Sequence, residues 1–209
     1  IFVLTPVRSF CAPELREEHL EYKISYMGVS AGDGLLDVFK HDGGVIIRAT
    51  GQTSRVFSAF YRVYDVMESL CPAGSFFPSK YKIHFEEGDY RRENEYAFDF
   101  GKLEVSGYKK GPVKIEPETY DPLSGFALVR TMKMEPGQTI SRYVCDGRKV
   151  YWLTLKIHDR RILSTRFGRI PCIEVEPDIL NMRLEGVMEK KGRVRIWLTD
   201  DEHKIPIMI

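Results

Sequence analysis

Ser30 lies in a segment whose spacing matches a catalytic motif. The run Gly28-Val29-Ser30-Ala31-Gly32 satisfies the G-x-S-x-G pattern of serine hydrolases, in which a strand-to-helix turn holds the serine beside an oxyanion hole. Here Gly32-Asp33-Gly34 leads into residues 35–39, which read as a strand. We therefore interpret residues 30–34 as a hairpin turn. The sequence predicts no catalytic role for Ser30, and a serine hydrolase remains only an alternative function.

Two acidic clusters could bind a cation or act as a carboxylate pair. Asp200-Asp201-Glu202-His203 lacks the twelve-residue ligand spacing of an EF-hand. Glu86, Glu87 and Asp89 flank a turn glycine, where carboxylates are usually solvated. The five histidines show no His-x-x-x-His spacing and the four cysteines no Cys-x-x-Cys. The sequence predicts hairpin loops here, with no metal site, no cofactor and no catalytic residue.

The cysteines indicate little disulfide chemistry. Loss of an N-terminal signal containing Cys11 would leave Cys71, Cys145 and Cys172, an odd number that permits one internal disulfide. Cys145 with Cys172 is the favoured pair, because both fall in one run of strands. Buried free thiols are the simpler interpretation.

The composition is that of a globular chain with a core. Of 209 residues, 43% are hydrophobic and 29% charged, and 31 Lys and Arg face 30 Asp and Glu, a net charge of +1. This balance does not favour a nucleic acid partner. No apolar run reaches the ~18 residues of a membrane-spanning helix, so the sequence predicts no transmembrane span.

The first twelve residues, IFVLTPVRSFCA, are typical of the end of a secretory signal. Ser9 and Cys11 are small residues at the two positions that determine cleavage before Ala12. We therefore expect residues 1–12 to be the remnant of a signal, and residues 13–209 to form a single β domain. An apolar N-terminal strand is the alternative.

Period-two alternation dominates the rest of the chain. It is clear over residues 20–26, 81–85, 96–100 and 151–157. Helical spacing appears over residues 54–64, and Asp121-Pro122 provides an N-cap for a helix that runs to about Thr131. The fold class is therefore mostly β: a strongly curved antiparallel sheet of about ten strands, an open or half barrel, with two short capping helices.

Aromatic residues on one face of successive strands are the main candidate for function. Core packing is one interpretation of this apolar surface. The other is that part of the concave face stays open as a pocket for an apolar ligand. The predicted ligand-binding residues are Tyr81, Phe85, Tyr96 and Phe98.

Several segments resemble a bacterial exported family, domain of unknown function 3108. They are EYKISYMGVSAGDGLLDV, EEGDYRRENEYAFDF, YDPLSGFALVR and, most specifically, RIWLTDDEHKIPIMI. Together they extend from about Glu21 to Ile209. Ser30 departs from the family pattern, which has proline in this turn. More distantly, the chain is similar to the half-barrel of lipoprotein carriers, where a curved sheet and capping helices hold acyl chains.

The resemblance implies a periplasmic or envelope-associated protein of unassigned activity. Combined with the aromatic face, it predicts non-catalytic binding of an apolar or lipid ligand. The first alternative is a structural or interaction module with a fully packed core, which contacts an envelope protein partner by strand addition.

Overall fold

The fold is mostly β, as predicted, and the part of the chain that the structure describes contains two helices. The computed structural model describes residues 16–26, 28–178 and 194–208. The predicted signal at residues 1–12 lies outside them. Within these ranges, no helix has both the length and the apolar character needed to cross a membrane.

The first sheet is an eight-stranded antiparallel meander in which neighbours along the chain are neighbours in the sheet. Alternating side chains face a common inner surface that is covered in part by a helix. This sheet contains both segments that the aromatic pattern singled out. Its strands are β1 (Glu18–Tyr26), β2 (Val29–His41), β3 (Gly44–Thr53), β4 (Val63–Pro72), β5 (Lys80–Glu87), β6 (Tyr90–Asp99), β7 (Glu104–Ser106) and β8 (Val113–Lys114).

The second sheet has six strands in the order β14-β13-β12-β11-β10-β9. Only the β9–β10 pairing is parallel. Its strands are β9 (Thr119–Tyr120), β10 (Thr139–Cys145), β11 (Val150–Thr165), β12 (Gly168–Pro177), β13 (Ile196–Thr199) and β14 (Pro206–Met208).

The described residues therefore form fourteen strands in two sheets rather than about ten in one. A long meander that twists at every strand pair tends to split into two packed layers. Neither sheet closes on itself in the described ranges: β1 and β8 are the edges of the first sheet, and β14 and β9 those of the second.

Two local predictions about the first sheet were wrong. Residues 30–34 belong to β2, and the β1–β2 hairpin closes earlier, at Gly28 (φ +80°). The helix predicted over residues 54–64 is only one turn long, α1 (Arg55–Ser58). It is short because β3 continues to Thr53 and β4 already begins at Val63.

The second helix, α2 (Pro122–Arg130), begins where the sequence predicted. Asp121 is its N-cap and accepts hydrogen bonds from the backbone N–H groups of Leu123 and Ser124. The Ser124 hydroxyl accepts in return from the N–H of Asp121, which completes a capping box. Pro122 at the first helical position loses no intrahelical bond.

Helix α2 contributes to both hydrophobic cores. Leu123 and Ala127 lie in a core with Tyr81, Tyr96 and other inner-face residues of the first sheet. Val129 lies in the core of the second sheet, and Phe126 packs partly against each. The helix therefore covers only part of the inner face of the first sheet.

Candidate functional site

Three of the four predicted ligand-binding residues lie in the packed core. Tyr96 is fully buried, and Tyr81 and Phe98 are less than one tenth exposed. Tyr81 and Tyr96 are cross-strand partners with ring centroids 6.2 Å apart. All three belong to the core that contains Leu123 of α2. Phe85, nearer the end of β5, is only partly buried.

Phe85 belongs to a different part of the inner face, which contains the glycine pair Gly34 and Gly51. Along β2 and β3, the cross-strand pair Val38 and Ile47 is buried. Four register positions further along, on the same face, Gly34 lies opposite Gly51, and both residues are half-exposed. A Cβ atom at Gly51 would meet no heavy atom within 4 Å. A Cβ atom at Gly34 would instead make ordinary contact with the side chains of Tyr22 and Ile24, so the open space lies at Gly51.

Gly51 belongs to a row of register partners that crosses six strands. Each residue of the row is the register partner of the next: Tyr22 of β1 with Gly34, Gly34 with Gly51, Gly51 with Asp65, Asp65 with Phe85, and Phe85 with Arg92. All six are half-buried. Five strand spacings of about 4.8 Å make the row roughly 24 Å long. We call this row the trough; its residues are Tyr22, Gly34, Gly51, Asp65, Phe85 and Arg92.

The two ends of the trough carry hydrogen-bond donors. The hydroxyl of Tyr22 is buried and has no hydrogen-bond partner among the described residues, and burial raises its pKa to about 12. At the other end, the Arg92 guanidinium lies 6.0 Å from the centroid of the Phe85 ring and donates to the hydroxyl of Tyr96. A buried hydroxyl without a partner is uncommon in folded proteins.

Asp65 gives the trough one carboxyl group that titrates near neutral pH. Burial and the neighbouring Glu87 raise its pKa to about 6. One carboxylate oxygen accepts a hydrogen bond of 3.1 Å from the N–H of Glu86. A carboxyl that is easily protonated is compatible with an apolar ligand lying against it.

A separate polar groove of about 580 Å³ lies between β1, β2 and the end of α2. Its buried wall is Arg130, which donates two hydrogen bonds of 2.8 Å to the carboxylate of Glu18. Arg130 also donates to the carbonyls of His203 and Lys204. These contacts use most of its donors, so the arginine joins three segments rather than offering an anion site.

A smaller cleft of about 280 Å³ lies on the second sheet. The half-exposed rings of Trp152 and Tyr143 meet edge to face with centroids 4.5 Å apart, beside Glu116 and Glu118. This surface could stack an apolar ring, and no other feature of the cleft specifies a ligand.

Ser30 lies in the first sheet, whereas the acidic run of residues 200–203 lies between β13 and β14 of the second. Ser30 is an exposed residue near the start of β2, between two strands and not before a helix. Asp201 accepts hydrogen bonds from Thr199 and the N–H groups of His203 and Lys204, which makes the acidic run a loop, as predicted. In the described ranges, no three His, Cys, Asp or Glu side chains come together as a possible metal site.

The described cysteines are free thiols, so the Cys145–Cys172 disulfide is not formed. Cys71 and Cys145 lie in the first core, whereas Cys172 is buried in the second sheet. Burial raises the pKa of Cys71 and of Cys145 to about 12. They are therefore protonated and unreactive at neutral pH.

Sequence reasoning missed the trough because it treated its residues separately. Gly34 falls in the hairpin turn predicted over residues 30–34, and the sequence gives Gly51 no place in a predicted strand. A glycine inside a strand often marks a bulge or a close approach of another group, and this signal was available. Only the register shows that the two glycines are partners.

The fold and the site define a class: an open, two-sheet β protein with a partly covered inner face. A family model described as a protein of unknown function (DUF3108) matches residues 21–209, and the chain therefore belongs to this family. The resemblance inferred from the sequence is confirmed. The more distant similarity to lipoprotein carriers remains a prediction.

Two further comparisons were informative about similarity only. No curated protein sequence matches the chain. Among solved structures, the chain is similar to the crystal structure of a DUF1089 family protein from Pseudomonas aeruginosa. The identity is 11% and the TM-score 0.44, with 90% of this chain and 94% of that chain covered.

Proposed function

We propose that this protein is a non-catalytic binding protein of the bacterial envelope that holds an apolar or lipid ligand in the trough. The observation that carries the proposal is the open space at Gly51, which lies opposite Gly34 and beside the packed core of the inner face. Two glycines that face each other inside neighbouring strands lower the propensity for strand formation. Space for a ligand is a physical reason why glycines would be retained at these positions despite their low strand propensity.

The trough suits a long, thin ligand. An acyl chain lying across the strands would contact the glycine backbone at the centre and the rings of Tyr22 and Phe85 towards the ends. Burial of its methylene groups would supply about 0.8 kcal/mol each. The guanidinium of Arg92, which also donates to Tyr96 and Asn94, is the cation that lies beside Phe85 for a polar end group. Among the four aromatics singled out by the sequence, Phe85 is thus the one in direct reach.

Export to the periplasm or the envelope is part of the same proposal. The support is the apolar run of residues 1–12, which closes on small residues. Cell fractionation of the natural gene product tests it. Recovery of the protein in the cytosol only would contradict it.

The substitution Gly51→Leu tests the trough directly. The added side chain enters open space, so the fold should tolerate it, while the centre of the trough becomes filled. We expect the affinity for an environment-sensitive fluorescent fatty acid to fall by about tenfold or more, with the melting temperature maintained. Competition with unlabelled palmitate establishes that binding is saturable.

Gln52→Leu is the matched control, since Gln52 is the exposed neighbour on the opposite face of β3. It adds a similar apolar surface outside the trough and should leave the affinity unchanged. Equal affinity of the wild type and Gly51→Leu would overturn the proposed site.

The packed-core interaction module is the second candidate function. It is favoured by the covered half of the inner face, where Tyr81, Tyr96 and Phe98 are buried. The nine-residue edge strand β1 would then accept a strand from an envelope protein. Absence of saturable binding of the fluorescent fatty acid to the wild type would support this function over the first.

A further inference from the structure

Three connections meet at one end of the first sheet, next to the trough. They are the β1–β2 turn, the β3–β4 connection that contains α1, and the β5–β6 turn. The register fixes this arrangement, because Thr53 pairs with Gly32 near the start of β2 and Val63 pairs with Glu87 at the end of β5. The side chains of these connections therefore share one surface.

That surface exposes large apolar side chains. Phe60 is 87% exposed, Val56 72%, Val29 57% and Tyr61 50%. We call these four residues the apolar tip. Tyr64 and Tyr90 lie at its border and are also exposed. Isolated exposed hydrophobic residues are normal, whereas several together usually mark an interaction site.

The tip is held in place by specific contacts. A Cβ atom at Gly88 would come within 2.7 Å of the Tyr61 ring, so this ring packs on the β5–β6 turn. The N–H of Gly88 donates to the carbonyl of Arg62. Ser54 caps α1, and the hydroxyls of Thr53 and Ser58 share a hydrogen bond of 2.9 Å. The exposure of Phe60 is therefore a property of an ordered connection.

Charges around the tip are balanced. Arg55 has no ion-pair partner among the described residues, and Arg62 and Arg91 both approach the carboxylate of Glu86, at 3.5 and 3.8 Å. Glu87 and Asp89 are the other acids of the β5–β6 turn. Three arginines against three carboxylates give little net attraction to either sign of charge. Association at this surface must therefore come from burial of apolar groups.

We propose that the apolar tip inserts into the surface of a lipid bilayer. The inference rests on the proposed function, since the tip lies at the strand ends beside the trough and would bring the trough close to the source of the ligand. Protruding side chains such as Val56 and Phe60 suit insertion between lipids. Tyrosines at the border suit the region of the headgroups, and long arginine side chains extend to it.

Vesicle flotation with the full chain tests this inference. The protein should float with phosphatidylcholine vesicles, and added phosphatidylglycerol or 0.5 M salt should change the bound fraction by less than about twofold. The double variant Val56→Asp/Phe60→Asp should reduce binding by about tenfold or more. Phe167→Asp is the matched control, because Phe167 is 76% exposed on the β11–β12 hairpin of the second sheet.

A second readout places the tip in the membrane. Phe60→Trp should show a blue-shifted emission on addition of vesicles, and brominated lipids should quench it more than in the wild type. Absence of flotation by the wild type, or equal flotation of the double variant, would overturn the inference. Self-association of the wild type that the double variant abolishes, without flotation, would assign the tip to a second copy instead.

The two proposals fail separately. The tip variants should retain the affinity for soluble fluorescent fatty acid, and Gly51→Leu should retain flotation. Loss of lipid flotation alone would contradict membrane insertion, and unchanged ligand affinity of Gly51→Leu alone would contradict the trough.

Discussion

Asp121 shows how one residue can meet opposing demands. Its carboxylate accepts hydrogen bonds from two backbone N–H groups of α2 and from the hydroxyl of Ser69. These bonds favour the charged form, as does the position at a helix N-terminus. Complete burial nevertheless raises the pKa of Asp121 to about 6, from 3.8. Desolvation therefore outweighs the hydrogen bonds.

The raised pKa of Asp121 predicts a definite pH dependence. The folded state retains a proton between about pH 4 and 6 that the unfolded state has lost, so the contribution of this group to stability is most favourable below pH 4 and falls as the pH rises to 6. Above pH 6 it stays constant, at a cost of about 3 kcal/mol. Asp121→Asn should remove this dependence, because an amide keeps acceptor and donor atoms without a charge.

Urea unfolding of both proteins at pH 4.5 and pH 7 measures the effect. The free energy of unfolding of Asp121→Asn relative to wild type should rise between these two pH values. A difference that does not change with pH would show that the carboxyl titrates normally. Asp121→Ala is the control for loss of the cap and should destabilise at both pH values.

At the scale of elements, the environment of Ser30 decides the meaning of its motif. The segment runs from β1 through Gly28 into β2, so Ser30 is followed by a strand of the sheet. A nucleophile elbow needs a helix N-terminus after the serine. The hairpin does not provide one.

Ser30→Ala is therefore expected to be silent. Ser30 is exposed at the start of β2, and its substitution removes only a surface hydroxyl. The melting temperature and fatty acid affinity should remain within error of the wild type. A fluorophosphonate probe that labels wild-type Ser30, together with loss of a hydrolytic activity in the variant, would restore the hydrolase hypothesis.

The two helices differ because their surroundings differ. Helix α2 has a capping box, and its side chains are buried in both hydrophobic cores. Its N-terminus and its packing therefore both stabilise it. Helix α1 has an N-cap but no buried residue. Helical spacing over residues 54–64 indicated a buried apolar stripe, and the structure instead leaves Val56 and Phe60 in solvent.

At the scale of the whole molecule, Arg130 and Glu18 connect parts that are far apart in the sequence. Arg130, at the end of α2, joins the carboxylate of Glu18 on β1 and two carbonyls next to β14. The side chains of Arg130 and Glu18 are only 8% and 18% exposed. A buried carboxylate deprived of its partner is strongly unfavourable.

Arg130→Met should therefore destabilise the protein by about 3–5 kcal/mol. The double variant Glu18→Gln/Arg130→Met should recover a large part of this loss, because the uncompensated charge is gone. Chemical denaturation measures both. The control Lys114→Met breaks an exposed pair with Glu104 and should cost less than about 1 kcal/mol. Equal stability of the single and double variants would show that Glu18 is solvated.

The sequence by itself determined what depends on neighbours along the chain. Period-two alternation predicted the β class, and Asp121-Pro122 predicted where α2 begins. The β5–β6 hairpin also follows from local alternation and a turn glycine. These features depend on backbone preferences and on hydrogen bonds within a few residues.

Only the tertiary structure decided which surfaces are covered. Alternation places Tyr81 and Phe85 on the same face of β5, yet α2 packs over the core of Tyr81 and leaves Phe85 half-exposed. The trough exists because Gly34 and Gly51 meet across two strands, and strand register is a long-range property. The division of the strands into two sheets depends likewise on how twisted layers pack, which no single segment encodes.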